Sequence, residues 1–400
     1  MTTESTVVAL FVIATAVAVI AHRLRVPYTV ALLLAGLGIG TLGLIEPPHL
    51  TRSLLFAFIL PGLLFEAAFH LDLALLRRNW RIITALAAPG VVVAIGLTAL
   101  ICTFAFRALG LDPEFSMTMG LVFGGLIAAT DPIAVVALFR SMHAPPRLTT
   151  LIEGESLLND GTSIVFLTLI LGYVAGTTTT ATAIAAQLVV MVGGGILVGL
   201  AMGFGVSGVM KRIDDPMIEI TLTVIAAYGS FVLAEQLHCS GVLATVVAGV
   251  ICGGYGEQVA MSPATRTAVN AFWEYASFAL NSLVFLMVGF TIPLRSLLAS
   301  WPEIAIAYVA AIGGRAGVVA VVSVLFNRTG ERIPGGWPLI LTWGGLRGAL
   351  SVMLALGLAP DFPHRAQLEA MTLGVVVVSL TLQGLTMRGV LRRALPESRA

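Results

Sequence analysis

The run Gly154-Glu155-Ser156-Leu157-Leu158-Asn159-Asp160-Gly161-Thr162-Ser163 sets two acids and an amide at the head of a stretch that is otherwise almost wholly apolar as far as Val174. A charge at the centre of a bilayer costs roughly 2.5 to 3.5 kcal/mol even on lenient insertion scales, so such residues face cavities and mark ion or proton paths. The rest of the chain says which solvent applies. Of 400 residues, 58% are hydrophobic and only 11% charged. That leaves too little polar surface to cover a water-soluble globule, and an all-α polytopic membrane protein is expected.

No stretch rich in Pro and Ser or in charge separates one part of the chain from another, so a single membrane domain with short loops is expected over 1-400. The first apolar stretch begins near Val7 without a basic leader, which favours a first transmembrane helix over a removed signal peptide. The tail after about Val390 is too short for a regulatory domain. Cys102, Cys239 and Cys252 show no metal spacing and no disulfide framework.

Apolar runs broken by Pro, Gly and Arg predict thirteen spans, at about 7-22, 28-45, 54-71, 82-105, 117-139, 151-174, 184-210, 217-238, 240-254, 272-290, 304-326, 338-358 and 369-390. The positive-inside rule tests that count. Arg23, Arg25, Arg77, Arg78, Arg81, Arg140, Arg147, Lys211, Arg212, Arg266, Arg328, Arg332, Arg388, Arg392, Arg393 and Arg399 fall on one side. Only Arg52, Arg107, Arg295 and Arg365 fall on the other, while Arg315 and Arg347 lie inside spans. The bias puts the N-terminus outside and the C-terminus in the cytoplasm of a cell (inner) membrane.

With an odd count, spans seven apart run in opposite directions, so spans 1 to 6 and 8 to 13 can be two inverted repeats joined by span 7. Spans 5 and 12 form such a pair, and both carry breakers at mid-depth. In span 5 these are Gly124-Gly125 and Thr130-Asp131-Pro132, where proline removes a backbone donor and disfavours helix at Asp131. In span 12 the run is Trp343-Gly344-Gly345-Leu346-Arg347-Gly348. Interrupted segments at matching positions of two halves point to a transport site, although glycines also serve helix packing in membranes.

The ionisable residues in these spans are Asp131, Glu155, Asp160 and Arg347, with Glu66 near the end of span 3 and Arg315 in span 11. Four acids against two bases suit a cation as guest. On a helix Ser156 and Asp160 share one face, and Glu155 and Asn159 the neighbouring one. Asp160 and the Ser156 hydroxyl, with oxygens of Thr130 and Asp131, are therefore expected to form an oxygen-lined hole for a small hard cation. Glu155 is expected to pair with Arg347, which would otherwise be a buried uncompensated charge. Glu66 either joins the site or snorkels to the surface, and Arg315 is structural or a counter-charge. A proton and a cation compete for the Asp160 carboxylate, which is the basis of exchange.

Together, Gly154-Glu155-Ser156-Leu157-Leu158-Asn159-Asp160-Gly161, Ala129-Thr130-Asp131-Pro132, Leu64-Phe65-Glu66-Ala67, Ser282-Leu283-Val284-Phe285 and Gly344-Gly345-Leu346-Arg347-Gly348-Ala349 resemble the sodium/proton antiporters of the NhaP and NHE type. The resemblance spans almost the whole chain. It implies a thirteen-helix homodimer in which core helices about 82-174 and 304-390 move against dimerisation helices about 7-71 and 184-290. It implies that Asp160, Asp131, Thr130 and Ser156 line the ion site, that the residue in the place of Glu66 can contribute, and that Glu155 and Arg347 form a structural ion pair. Asn159 stands where the electrogenic branch has Asp, and the only lysine, Lys211, lies in a loop. Both imply electroneutral exchange, and the short tail favours a bacterial-type protein.

A potassium/proton antiporter would use the same ligands. An intramembrane aspartyl protease would also bury two acids, but no Gly-x-Gly-Asp run surrounds either, and no His-Glu-x-x-His occurs for a zinc protease. A cation channel fits a compact acid site between broken helices less well. His22, His49, His70, His143, His238 and His364 are expected in solvated loops or at span ends. Nothing suggests an enzyme, a cofactor or nucleic acid; the partners are the transported ions and the lipid bilayer.

Overall fold

The structure, a computed structural model, describes residues 3-24, 26-43, 54-177, 180-329 and 331-395; Arg25, His49, Arg52 and Arg399 lie outside them. Helices and turns account for the ordered elements, with no strand among the described residues. In chain order they are α1 (Thr3–Leu24), α2 (Tyr28–Leu42), α3 (Leu60–Phe69, entered through a π-helical turn Leu54–Ile59), α4 (Leu73–Ala87), α5 (Pro89–Ala108), α6 (Met117–Leu126) and α7 (Ile133–Ser141). There follow α8 (Pro146–Val174), α9 (Ala181–Met210), α10 (Pro216–Gln236), α11 (Gly241–Ile251), α12 (Glu257–Val259) and α13 (Pro263–Thr291). The last are α14 (Leu294–Ala299), α15 (Trp301–Asn327), α16 (Trp337–Trp343), α17 (Ala349–Leu356), α18 (Arg365–Val378) and α19 (Gly384–Ala394), with π-helical turns at Cys252–Gly256 and Ser379–Gln383.

Among the described residues, eight helical stretches are long and apolar enough to cross a bilayer, and shorter apolar helices accompany them. The fourth predicted span begins earlier than expected, as the helical stretch Leu73–Ala108, and it bends at Ala88, ahead of Pro89 in the first turn of α5. Proline is tolerated there because its missing donor would be unsatisfied anyway. The breaks expected in spans 5 and 12 are present, at 127-132 and 344-348. Gly124 and Gly125 remain helical within α6, so the interruption begins after them. Gly124 is a packing glycine: a Cβ there would stand 2.8 Å from the Ile95 carbonyl oxygen of α5.

Contacts divide the chain into two units, 1-50 with 81-159 and 282-400, and 51-80 with 160-281. The first unit contains both α1 and α2. In this unit α5 packs on α6 and α15, α15 on α18, and α17 on α18. Close approach rests on small residues, as usual where lipid offers no hydrophobic drive between helices. Gly36 of α2 faces Gly289 of α13, and a Cβ on Gly289 would run into the Leu33 carbonyl and come within 2.8 Å of the Leu37 nitrogen. Gly289→Leu is expected to destabilise the protein by about 3 kcal/mol or more through overpacking. The measurement is melting in detergent, with Gly38→Ala as the silent control because nothing lies within 4 Å of that position.

The second unit centres on α11, which packs against α3, α9 and α10. Gly195, Gly199 and Gly203 of α9 lie against Ser240, Ala244 and Ile251, and Gly249 lies against Phe65 and Ala68 of α3. Phe65, Phe69, Met210, Cys252 and Trp273 form an apolar core. The polar edge of the Trp273 indole is satisfied, its Nε1 donating to Thr223 Oγ1 at 3.0 Å. Val165 and Leu169, on the apolar part of α8, pack with Leu243.

Candidate functional site

An interrupted helix leaves backbone groups that no regular turn satisfies, and the site is built from how these are taken up. Pro132 stands at the N-cap of α7 with no side-chain hydrogen bond. Asp131 supplies the cap instead, its Oδ1 accepting from the Ile133 amide at 3.1 Å. The Asp131 amide in turn donates to the Leu346 carbonyl at 2.7 Å, tying the two interruptions together backbone to backbone. Gly348 makes that crossing possible, because a Cβ there would collide with Asp131 Cβ and its carboxylate.

Thr130 collects two residues of α8. Ser156 Oγ donates to the Thr130 carbonyl at 2.5 Å, and Asn159 Nδ2 donates to Thr130 Oγ1 at 3.3 Å. All three are buried. Asn159 therefore serves the broken segment together with Ser156, although the expectation grouped it with Glu155. Positions three apart on a helix share a face as readily as positions four apart.

The ion pair is also not the expected one. Glu155 is held by Arg315, in a fork with Nη1 on Oε1 at 2.7 Å and Nη2 on Oε2 at 2.8 Å. Glu155 and Arg315 are 2% and 8% exposed, so the pair is buried. Arg315 Nε adds a bond to the Leu341 carbonyl at 2.9 Å. Its guanidinium passes so close to Gly345 that any Cβ there would strike it. Arg347 instead donates from Nη1 to the carbonyls of Ala128 at 2.7 Å and Ala129 at 3.3 Å. The reason is geometric: Arg315 stands on the unbroken α15, where a planar fork can be aimed at a carboxylate. Arg347 stands within a break, opposite carbonyls released by another. A small cavity lined by Glu155, Asn159, Arg315, Arg347 and Ala128 adjoins both arginines.

Asp160 follows Asn159 on α8, one helical turn beyond Ser156, and groups with the second unit, where it is half-buried. Glu66, on α3 of that unit, has Oε1 3.3 Å from His70 Nδ1, one turn along the same helix.

Residues 7–393 match the family model described as sodium/hydrogen exchanger, transmembrane. The chain belongs to the sodium/hydrogen exchanger family. It is 36% identical over 376 residues to the low-affinity Na+/H+ antiporter NhaS1 of Synechocystis, covering 92% of this chain and 69% of that one. It is 39% identical over 350 residues to the Na+/H+ antiporter NhaP of Pseudomonas aeruginosa, covering 85% and 81%. The Na+/H+ antiporter NhaH of Halobacillus dabanensis is 35% identical over 403 residues, covering 96% of each chain. The fold matches that of the sodium proton antiporter MjNhaP1 from Methanocaldococcus jannaschii, with a TM-score of 0.79 at 21% identity over 99% of both chains. As a sodium/hydrogen exchanger of the NhaP type the protein is a multi-pass membrane transporter and not an enzyme.

Three side-chain contacts in this exchanger were not anticipated from sequence. Ser379 Oγ accepts from the Arg347 amide at 3.0 Å, and Gln383 Nε2 donates to the Trp343 carbonyl at 3.0 Å. His70 adjoins Glu66. Each left a signal: Ser379 and Gln383 are polar residues four apart in an apolar run, and Glu66 and His70 are four apart on a helix. Gly348 was read as a helix breaker, whereas its place is a contact with Asp131 that spacing does not encode.

Proposed function

We propose that this exchanger is a secondary antiporter that trades cytoplasmic Na+ or Li+ for H+ by alternating access, one for one. The observation that carries the reading is the gathering of Ser156 and Asn159 of α8 on Thr130 at the break between α6 and α7, with Asp160 next to Asn159 on the same helix. The Ser156 hydroxyl donates to Thr130 and keeps its lone pairs for a cation.

In this reading Asp160 carries the ion, with Asp131, Ser156 and Thr130 supplying further oxygens and Glu66 contributing an acid. Na+ and H+ cannot share the Asp160 carboxylate. If the empty, charged carrier crosses poorly, the two ions must travel in opposite directions. Asn159 holds Thr130 without adding a second carboxylate, so one proton balances one cation. Glu155 and Arg315 hold α8 against α15, while Arg347 satisfies the buried carbonyls of Ala128 and Ala129. The proposal extends to thirteen spans with the N-terminus outside, inverted repeats around spans 5 and 12, a core of about 82-174 and 304-390 moving against about 7-71 and 184-290, and a homodimer. The loop charge bias and the relatives' being Na+/H+ antiporters support it.

The test is purified protein in liposomes with an imposed pH gradient. Na+ or Li+ is expected to dissipate the gradient saturably, at a rate unchanged when the membrane potential is clamped. A response to K+ alone would make the protein a potassium/proton antiporter. No response to any of the three would remove the antiport reading.

A further inference from the structure

The last membrane stretch is not a uniform α-helix. Between α18 and α19 it loosens into the π-helical turn Ser379–Gln383, and such turns occur often at functional sites. Ser379 is wholly buried and Gln383 is 2% exposed, in a stretch whose other buried side chains, apart from Thr372, are apolar.

The two side chains close a loop with the interruption between α16 and α17. Gln383 Nε2 donates to the Trp343 carbonyl at 3.0 Å. Gln383 Oε1 accepts from Ser379 Oγ at 2.6 Å. Ser379 Oγ accepts in turn from the Arg347 amide at 3.0 Å. One orphan carbonyl at the end of α16 and one orphan amide near the start of α17 are thus both satisfied by a single pair of side chains. Trp343 Nε1 adds a bond to Thr386 Oγ1 at 2.9 Å on α19. Between the clamped ends lies Leu346, whose carbonyl accepts from the Asp131 amide at 2.7 Å. Thr130, the partner of Ser156 and Asn159, is the next residue back.

We infer that Ser379 and Gln383 are positioning residues for ion transport: they clamp 343-347, and through Leu346 they set where Asp131 and Thr130 stand. A serine alone could cap the amide and a glutamine alone the carbonyl. Joined through the hydroxyl, they fix the width of the break, which neither would do separately. Each polar side-chain atom of Ser379 and Gln383 has a partner in this buried loop, and a satisfied buried polar network favours one geometry. Losing either member leaves a buried backbone group unpaired, and the break is free to adopt another spacing.

The transport part of this inference rests on the antiporter reading, whereas the clamp does not, and the experiment separates them. Ser379→Ala, Ser379→Thr and Gln383→Met are compared with wild type in two measurements. The first is amide hydrogen exchange in the peptide spanning 344-348, and the second is the cation dependence of proton flux in liposomes. Ser379→Ala and Gln383→Met are expected to speed exchange at the break and to raise the apparent KM for the cation about tenfold, as lost hydrogen bonds to a coupled site would. The maximal rate should change far less, and Ser379→Thr, which keeps the hydroxyl, should stay near wild type in both. Unchanged exchange in both deletions overturns the clamp. Faster exchange with an unchanged KM, or a mere loss of folded protein, overturns the positioning role. A wild type without cation response removes the antiporter reading, and the exchange measurement then decides the clamp alone.

Discussion

Asp160→Asn is expected to reduce cation-driven proton flux at least a hundredfold while leaving the protein folded. The amide matches the carboxylate in shape but cannot neutralise a cation or carry an exchangeable proton through the cycle. Unit charges about 2.4 Å apart attract by about 7 kcal/mol at an effective dielectric near 20. Even if stripping water from both ions offsets half of that, the remaining 3 kcal/mol or so is a factor above 100 in affinity. Liposomes measure the flux, and the melting curve of the same preparation checks the fold. Asp160 sits half-buried on the continuous helix α8, where this nearly isosteric change adds no bulk. Flux equal to wild type would take the ion from Asp160.

Breaking the Glu155–Arg315 pair is expected to have the largest effect on stability. Both partners are buried and joined by two short bonds, so Arg315→Met strands a carboxylate and Glu155→Leu strands a guanidinium. Removing one member of a buried pair costs about 3 to 5 kcal/mol, whereas replacing both with apolar side chains is often close to neutral. The expected order of melting temperatures is therefore wild type first, the double variant Glu155→Leu/Arg315→Met close behind, and both single variants well below. The double variant still forfeits the Arg315 bond to the Leu341 carbonyl, a loss of about 1 kcal/mol. A parallel cycle with Arg347→Met should show much weaker coupling to Glu155, since Arg347 spends its donor on Ala128 and Ala129. The reverse ranking would restore the pairing expected from sequence.

That pair marks the boundary between what each level of description decides. The membrane class, the interruptions in spans 5 and 12 and the polar run at Glu155 to Asp160 were legible in the chain, because each is local. Hydropathy is a property of a window, Pro132 removes its own donor, and a helix repeats every 3.6 residues wherever it lies. Loop charge counts are nearly as local. Where two chemically equivalent arginines, Arg315 and Arg347, compete for one acid, composition and spacing are silent.

The tertiary structure chose between them through backbone groups rather than side chains. The break after α6 freed the carbonyls of Ala128 and Ala129, and Arg347 was the donor facing them. Arg315, on an unbroken helix, was left to fit its fork to Glu155. Ser379 and Gln383 found the ends of the other break in the same way. By itself the sequence determined that buried charges and broken helices would occur together. Which partner satisfies which orphan group was decided only in three dimensions, because a carbonyl becomes an acceptor in need only when its own helix stops.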